Sequence, residues 1–341
     1  MPTLQTAFND FHDTIKLSDI DENATLREKR DILLDKLKSK ISSEAASYTH
    51  FNQGSYAMHT GINPDDDDFD IDVGLKFDVD KDDYPDPTVL KKWVKDALEG
   101  HTKSVEIKKP CVTVKYQRDG EAIYHVDFAI YAADNADGKM YLARGKEFSD
   151  EENKFWEESD PQELIRLVRE KFDGADAKQF RRVIRYLKKW KTQKFDSEGH
   201  AAPTGIALTM LAYNHFLPDY TEDVFSDNAR SYNDFEAFRD LVKSIRNDFV
   251  VEFDEDNKIC RSIKVKIITP PYNDLFEKMT LKQKTAFYNE VVKMEDILDK
   301  VADKIANKEP LSEQCELLQD LFGSDFPILS DRSIVGTSES A

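Results

Sequence analysis

The sequence predicts an α+β protein of two lobes, with a mixed β-sheet lobe followed by a helical lobe. Residues 69–77 alternate cleanly between apolar and polar side chains, which is typical of a strand buried on one face. Further strands are predicted at 104–108, 111–117 and 122–131, whereas helical spacing dominates after about residue 155. Because clefts between lobes often hold small ligands, we expect the functional site there.

The domain boundaries follow from this change of pattern. We predict that residues 1–155 form a catalytic lobe that includes an N-terminal helix. A helical lobe is predicted at 156–328, and a flexible tail at 329–341. The chain has 341 residues, 40% of them hydrophobic, which is enough for two cores. Helical patterns lie at 26–41, 161–172, 177–195, 204–216, 233–248, 281–307 and 311–322.

The charge of the chain limits its partners. A formal net charge of −19 repels nucleic-acid backbones and anionic membranes, although a small nucleotide carried by metal ions remains compatible. The three cysteines are far apart and lack zinc-site spacing. Neither a signal peptide nor an apolar run of about 18 residues is found, so we expect a cytoplasmic protein.

Six aspartates lie within positions 65–72, at the start of the first predicted strand. Asp70 and Asp72 are two positions apart and therefore share one strand face. Asp127 lies on the polar face of the strand 122–131, so pairing of the two strands would bring three carboxylates together. An Asp-x-Asp pair alone also fits the solvated face of an edge strand. The four aspartates at 65–68 are expected in a solvated loop and are not assigned as ligands.

Three converged carboxylates repel one another unless cations neutralise them. Hard oxygen ligands favour magnesium, for which manganese can substitute. Two such ions about 3.5–4 Å apart can hold a triphosphate and activate an attacking hydroxyl. The sequence therefore predicts a site for two divalent ions at Asp70, Asp72 and Asp127.

A Gly-Ser pair precedes the strand that carries two of the aspartates. Gly54 lets the backbone approach a phosphate closely, and Ser55 adds a hydroxyl donor where a short helix could begin. The pattern is not a Walker loop. A lone Gly-Ser is also typical of an ordinary turn, and only its position before the Asp-x-Asp strand indicates phosphate binding.

Together, QGSYAMHTGINPDDDDFDIDVGLKF from residue 53 and HVDFAIYA from residue 125 resemble the polymerase-beta type of nucleotidyltransferase. The shared pattern is Gly-Ser, a short helix, Asp-x-Asp on a strand and a third Asp on a later strand. The resemblance implies that Asp70, Asp72 and Asp127 bind metal and catalyse transfer. It also implies that Gly54 and Ser55 hold donor phosphates and that Gln53 lies near a base or ribose.

The stretch RRVIRYLKKWKTQKFDSEGHAAPTGIALTMLAYNHF from residue 181 resembles the helical half of the oligoadenylate and cyclic GMP–AMP synthase group. In that group, a Lys two residues before a Trp and a Ser or Thr that opens the next helix contact the donor triphosphate. The matching positions here are Lys188 and Thr204. On local chemistry alone, Lys188 also fits a basic, solvated helix face, and Thr204 fits a helix start.

The segment LLQDLFGSDFPIL from residue 317 resembles the end of the bacterial branch, the cyclic-oligonucleotide synthases called CD-NTases. The resemblance implies a polymerase-beta-like fold whose long N-terminal helix bridges the lobes. It implies nucleoside triphosphates, ATP first among them, as substrates, magnesium as cofactor, and a cyclic di- or trinucleotide second messenger for anti-phage defence as product. Bases, linkage, ring size, activating signal and oligomeric state are left open.

Alternative functions share the same three aspartates. They are a linear oligoadenylate-type synthase, an RNA-tailing or protein-modifying nucleotidyltransferase, and an inactive nucleotide sensor. The acidic charge and the absence of a zinc element argue against a DNA or RNA activator. Some CD-NTases have their C-terminus attached to other molecules by a ubiquitin-like machinery. The tail that ends in Ala341 would be such a handle or else an ordinary frayed end, and a regulatory protein is an alternative partner.

Overall fold

The computed structural model describes residues 2–17, 22–64, 69–118, 121–196, 202–223 and 229–330. The aspartates at 65–68 and the predicted tail from residue 331 to Ala341 lie outside these residues. The chain divides into two compact units. The sheet unit comprises Leu17–Lys171 and Ile267–Asn273, and the helical unit comprises Met1–Lys16, Phe172–Lys266 and Asp274–Ala341.

Helices and strands occur in both units. The helices are α1 Leu4–Ile15, α2 Glu22–Lys40, α3 Gly54–Ala57, α4 Thr88–Leu98, α5 Pro161–Arg169, α6 Gly174–Lys194, α7 Gly205–His215, α8 Asp234–Asn247, α9 Leu281–Ala306 and α10 Leu311–Phe322. The strands are β1 Tyr48–Gln53, β2 Phe69–Phe77, β3 Ser104–Ile107, β4 Val112–Arg118, β5 Glu121–Ala132, β6 Tyr141–Arg144, β7 Phe155–Glu158, β8 Tyr220–Asp223, β9 Ala229–Tyr232, β10 Val250–Phe253 and β11 Ile259–Ser262. Among the helices of the described residues, none is both long enough and apolar enough to cross a bilayer.

A mixed sheet forms the centre of the sheet unit. Its order is β1-β2-β5-β4-β3, with β6 joined to β5 and β7 to β6. The pair β2–β5 is parallel, and the others in this sheet are antiparallel. The predicted alternation of β2 is confirmed, because Ile71, Val73, Leu75 and Phe77 are fully buried. They pack with apolar residues of β4, β5, α2 and α4 into one core, which leaves the opposite face of β2 for its aspartates.

The helical unit is built around an aromatic cluster and a buried carboxylate. Rings of α1, α6 and α10 contact one another through Phe11, Tyr186 and Phe322. At the start of α8, the fully buried Asp234 accepts two hydrogen bonds of 2.6 Å from the guanidinium of Arg182, so its charge is paired.

The unit boundaries differ from the predicted boundary at residue 155. Strand β7 extends the sheet by pairing with β6, so the sheet unit continues past that residue. The first sixteen residues belong to the helical unit because Phe8 and Phe11 of α1 pack against Tyr186 of α6. The two hairpins β8–β9 and β10–β11 were not predicted, because each strand is only four residues long.

A fully buried lysine fixes the turn between β3 and β4. The Lys91 ammonium, on α4, donates hydrogen bonds to the carbonyls of Lys108 at 3.0 Å, Lys109 at 2.7 Å and Gly145 at 2.9 Å. Burial lowers the pKa of Lys91 from 10.5 to about 7. The lysine therefore connects α4 with the segment that leads into β4 and with the end of β6.

Replacing Lys91 with Met is expected to lower the free energy of unfolding at pH 7 by about 2–3 kcal/mol, because three carbonyls lose a donor. The pKa of Lys91 is about 7 in the folded protein and 10.5 in the unfolded chain. At pH values between these two, the unfolded chain binds more protons than the folded protein. The stability contributed by Lys91 therefore rises with pH across that window. Denaturant unfolding at pH 7 and pH 9 should show the difference between wild type and Lys91→Met widening by roughly 1 kcal/mol per pH unit.

The adjacent, half-buried Lys92 gives a control, since Lys92→Met makes the same change of side chain one position away. That variant should unfold like the wild type at both pH values. A difference between wild type and Lys91→Met that stays constant with pH would contradict the lowered pKa of Lys91.

Candidate active site

Three carboxylates converge on one face of the sheet. In the parallel pair β2–β5, Asp72 lies opposite Asp127 and Asp70 lies opposite His125. Each aspartate offers an oxygen within 4.8 Å of those of the other two. Asp70 is exposed, whereas Asp72 and Asp127 are half-buried. The structure thus contains the pairing of β2 with β5 that the strand pattern alone left open.

The spacing of these oxygens fits divalent cations. Oxygens on opposite sides of one magnesium ion lie about 4.2 Å apart, twice the Mg–O distance of about 2.1 Å. A small adjustment of side-chain torsions would bring oxygens within 4.8 Å of one another onto shared ions. Carboxylates are also the ligands that such hard cations prefer.

Asp127 has a further neighbour on its other side, on β4. Thr113 lies opposite Asp127 in the antiparallel pair β4–β5 and donates a hydrogen bond from its hydroxyl to Asp127 Oδ1 at 2.5 Å. The sulfur of Cys111 lies 3.5 Å from the same hydroxyl. Burial, with the nearby Asp127 carboxylate, raises the pKa of the Cys111 thiol to about 12, so the thiol stays protonated and unreactive at neutral pH.

Gly54 lies directly against Asp72. It begins α3 with φ of +67°, and a Cβ built on it would lie 1.8 Å from Asp72 Oδ2. Only glycine leaves room for the carboxylate at this position. Ser55 follows with an exposed side chain, and its carbonyl accepts a hydrogen bond from the Thr60 amide at 3.0 Å. The predicted short helix after the Gly-Ser pair is therefore present.

Gln53 ends β1 and lies opposite Asp72 in the antiparallel pair β1–β2. Its side-chain Oε1 accepts a hydrogen bond of 2.9 Å from the hydroxyl of Tyr131, which is buried on β5. Burial raises the pKa of Tyr131, so the hydroxyl remains a donor. Tyr131 was not predicted from the sequence, although Tyr131 lies four residues after Asp127 and therefore on the same face of β5.

Lys188 and Thr204 belong to the helical unit. Lys188 is buried on α6, and a Cβ added at Gly205 would lie 3.6 Å from Lys188 Cε. Thr204 is the N-cap of α7, and its hydroxyl accepts a hydrogen bond from the Ala207 amide at 3.2 Å. The lysine side chain thus lies beside the start of the helix that Thr204 caps, and contact of the two residues with a triphosphate stays a prediction.

Comparisons with known proteins agree with this geometry. Residues 49–131, which contain the triad, match the family described as cyclic GMP-AMP synthase DncV-like, nucleotidyltransferase domain. A cyclic GMP-AMP synthase of Escherichia albertii is 27% identical over 229 residues, which are 63% of this chain and 48% of that protein. The match therefore spans about half the length of that curated relative.

Solved structures extend the likeness over nearly the whole chain. DncV of Vibrio cholerae with the linear intermediate pppA(3′,5′)pG has a TM-score of 0.68 at 15% identity, covering 96% of this chain and 99% of that one. CdnC of E. coli MS115-1 with ATP has a TM-score of 0.65 at 17% identity, covering 94% and 98%. The resemblance seen in the sequence is confirmed: residues 49–131 form a DncV-like nucleotidyltransferase domain, in a chain with the polymerase-beta-like α+β fold of the bacterial CD-NTases.

Proposed function

We propose that the chain condenses nucleoside triphosphates, with release of pyrophosphate, into a cyclic di- or trinucleotide that serves as a second messenger. The observation that carries the proposal is the convergence of Asp70, Asp72 and Asp127 within a DncV-like domain. The Escherichia albertii relative described as a cyclic GMP-AMP synthase supports the class of product, and the neighbours with ATP or pppA(3′,5′)pG support the class of substrate.

The three aspartates would hold two divalent ions, with magnesium as the natural choice and manganese as a substitute. Such ions, when bound, supply positive charge to the triphosphate and lower the pKa of the attacking ribose hydroxyl. Asp127 would accept the proton of that hydroxyl. The hydroxyl oxygen bonds to the α-phosphorus, and the bond to the β-phosphate breaks as pyrophosphate leaves with its electron pair.

Several further groups would bind the substrate. The exposed Ser55 hydroxyl and the Gly54 amide would donate to donor phosphates, with Gly54 allowing close approach. By the family resemblance, Lys188 and Thr204 would offer a positive charge and a hydroxyl to a donor triphosphate. Gln53, oriented by Tyr131, would face a base or ribose. A second transfer within the linear product would then close the ring.

Lys188→Met is expected to weaken ATP binding about 10- to 100-fold while the fold is kept, because the variant retains the buried stem and loses the charge that pairs with phosphate. Calorimetric titration of ATP with magnesium measures the affinity. Lys178→Met, at an exposed position of the same helix, is the control and should bind ATP like the wild type. Equal affinity of both variants would contradict the role of Lys188.

The proposed function is tested by analysing the products. The purified chain is incubated with the four ribonucleoside triphosphates and magnesium, treated with phosphatase and analysed by mass spectrometry, with Asp70→Asn/Asp72→Asn as the inactive control. We expect a phosphatase-resistant cyclic product that identifies the bases. Exclusively linear or tailed products would contradict cyclisation and favour an oligoadenylate-type or RNA-tailing enzyme.

The proposal also includes the biological role of the product, the location of the reaction and the partners of the protein. The product would act in anti-phage defence, and the reaction would take place in the cytoplasm, where nucleoside triphosphates are abundant. A solved complex of the CdnC neighbour with a HORMA protein, at a TM-score of 0.63, supports a regulatory protein as partner, and the C-terminus remains a second candidate for attachment. No nucleic-acid activator is proposed, because the net charge is −19.

A further inference from the structure

We propose that Thr113 is a positioning residue for the metal site, which holds the Asp127 carboxylate in the orientation that binds a divalent ion. The inference rests on the proposed function. It begins from the hydrogen bond of 2.5 Å that the Thr113 hydroxyl donates to Asp127 Oδ1. A hydroxyl next to an ionised carboxylate must donate, because the carboxylate can only accept.

Thr113 belongs to a polar row that crosses five strands, from Gln53 on β1 to Glu106 on β3. In the strand register, Thr113 lies opposite Asp127, Asp127 opposite Asp72, and Asp72 opposite Gln53. The hydroxyl of Thr113 therefore lies between Glu106 and Asp127, and the amide of Gln53 lies at the other end of the row, next to Asp72. Asp127 and Asp72 each have a polar or charged neighbour on both sides, and Thr113 is the hydrogen-bond donor to Asp127 from β4.

The repulsion within the triad explains why such a donor is needed. Three carboxylates with oxygens within 4.8 Å of one another favour side-chain rotations that separate their charges. The hydrogen bond to Oδ1 opposes the rotation of Asp127 and leaves Oδ2 for a cation. A ligand that is already oriented binds with a smaller loss of conformational freedom, and such outer hydrogen bonds typically change metal affinity 10- to 100-fold.

Thr113 itself is rigidly held. Its side chain is fully buried, and the preceding turn is fixed by the hydrogen bonds of Lys91 to the carbonyls of Lys108 and Lys109. The amide of Lys108 also donates to the carbonyl of Cys111 at 2.9 Å, which closes that turn immediately before β4. A donor on such a fixed segment can hold Asp127 in one orientation.

The test measures binding of Mn²⁺ to the nucleotide-free protein by electron paramagnetic resonance, together with the magnesium concentration that gives half-maximal turnover. Thr113→Val removes the hydroxyl with little change in shape, and Thr113→Ser keeps it. We expect Thr113→Val to weaken Mn²⁺ binding about 10-fold and to raise the half-maximal magnesium concentration by a similar factor. Thr113→Ser should remain within about 3-fold of the wild type.

Thr88→Val is the matched control. Thr88 is also fully buried in the sheet unit and donates to an aspartate, Asp86 Oδ1, at 2.6 Å, at the start of α4. This variant should bind Mn²⁺ like the wild type even if it unfolds more easily. If Thr113→Val does not fold, Thr113→Ala removes the hydroxyl in its place.

Unchanged Mn²⁺ affinity in Thr113→Val would overturn the positioning role, as would equal weakening in Thr113→Ser. Either result, with Asp127→Asn still weakening Mn²⁺ binding, would leave the proposed metal site intact. A wild-type protein that does not bind Mn²⁺, or an Asp127→Asn variant that binds it equally well, would overturn the metal site itself and the role of Thr113 with it.

Discussion

Replacing Asp70 and Asp72 together with Asn is expected to lower pyrophosphate release by at least about three orders of magnitude. The amides keep the shape of the carboxylates, and the two positions lie on the polar face of β2, away from the buried Ile71 and Val73. Without the charges, the site would lose cations that contribute several kcal/mol of charge stabilisation, and about 4 kcal/mol corresponds to that factor. A coupled pyrophosphate assay at saturating ATP and GTP measures the loss.

The unfolding temperature of the double variant should equal or exceed that of the wild type, because the substitutions relieve repulsion among three carboxylates. Asp82→Asn/Asp83→Asn is the control, since it changes the net charge equally at two exposed positions and should retain full turnover. Pyrophosphate release by Asp70→Asn/Asp72→Asn at the wild-type rate would refute the assignment of the site.

The strand alternation predicted the face on which each aspartate lies, but not that the three aspartates converge. Within residues 69–77, Asp70 and Asp72 share one face because alternate residues of a strand point to the same side. The same rule places Asp127 on the polar face of its own strand. The structure supplies the parallel pairing of β2 with β5, which puts Asp72 opposite Asp127. The alternation of side chains shows which residues share a face of one strand, but it does not show which strands are neighbours.

That limit explains which residues of the site the sequence analysis did not find. Thr113 and Tyr131 act on Asp127 and Gln53 through contacts across strands, and those contacts depend on register. The assignment of α1 to the helical unit was not predicted for a similar reason. Its place in the helical unit depends on ring contacts of Phe8 and Phe11 with residues more than 150 positions away, which local patterns do not encode.

Gly54→Ala should be almost as damaging to turnover as loss of the aspartates, with an expected decrease of about 10²- to 10³-fold. The added Cβ would lie 1.8 Å from Asp72 Oδ2 and 2.7 Å from Asp72 Cγ, so the carboxylate or the α3 backbone must move. Movement of the carboxylate displaces a proposed metal ligand, and movement of the α3 backbone displaces the amide proposed to bind the donor phosphates. Displacements of about 1 Å in such sites cost on the order of 10²-fold in rate.

Backbone strain alone could also harm the variant, because Gly54 has φ of +67°, where a Cβ costs about 1 kcal/mol or more. Gly100→Ala separates the two effects, since Gly100 has φ of +70° with nothing within 4 Å of its added Cβ. Gly54→Ala should lose at least as much stability as Gly100→Ala in denaturant unfolding, but only Gly54→Ala should lose turnover and Mn²⁺ affinity. If the two variants lost turnover equally, strain rather than the contact with Asp72 would be the cause, and the close packing of Gly54 against the triad would have no catalytic role.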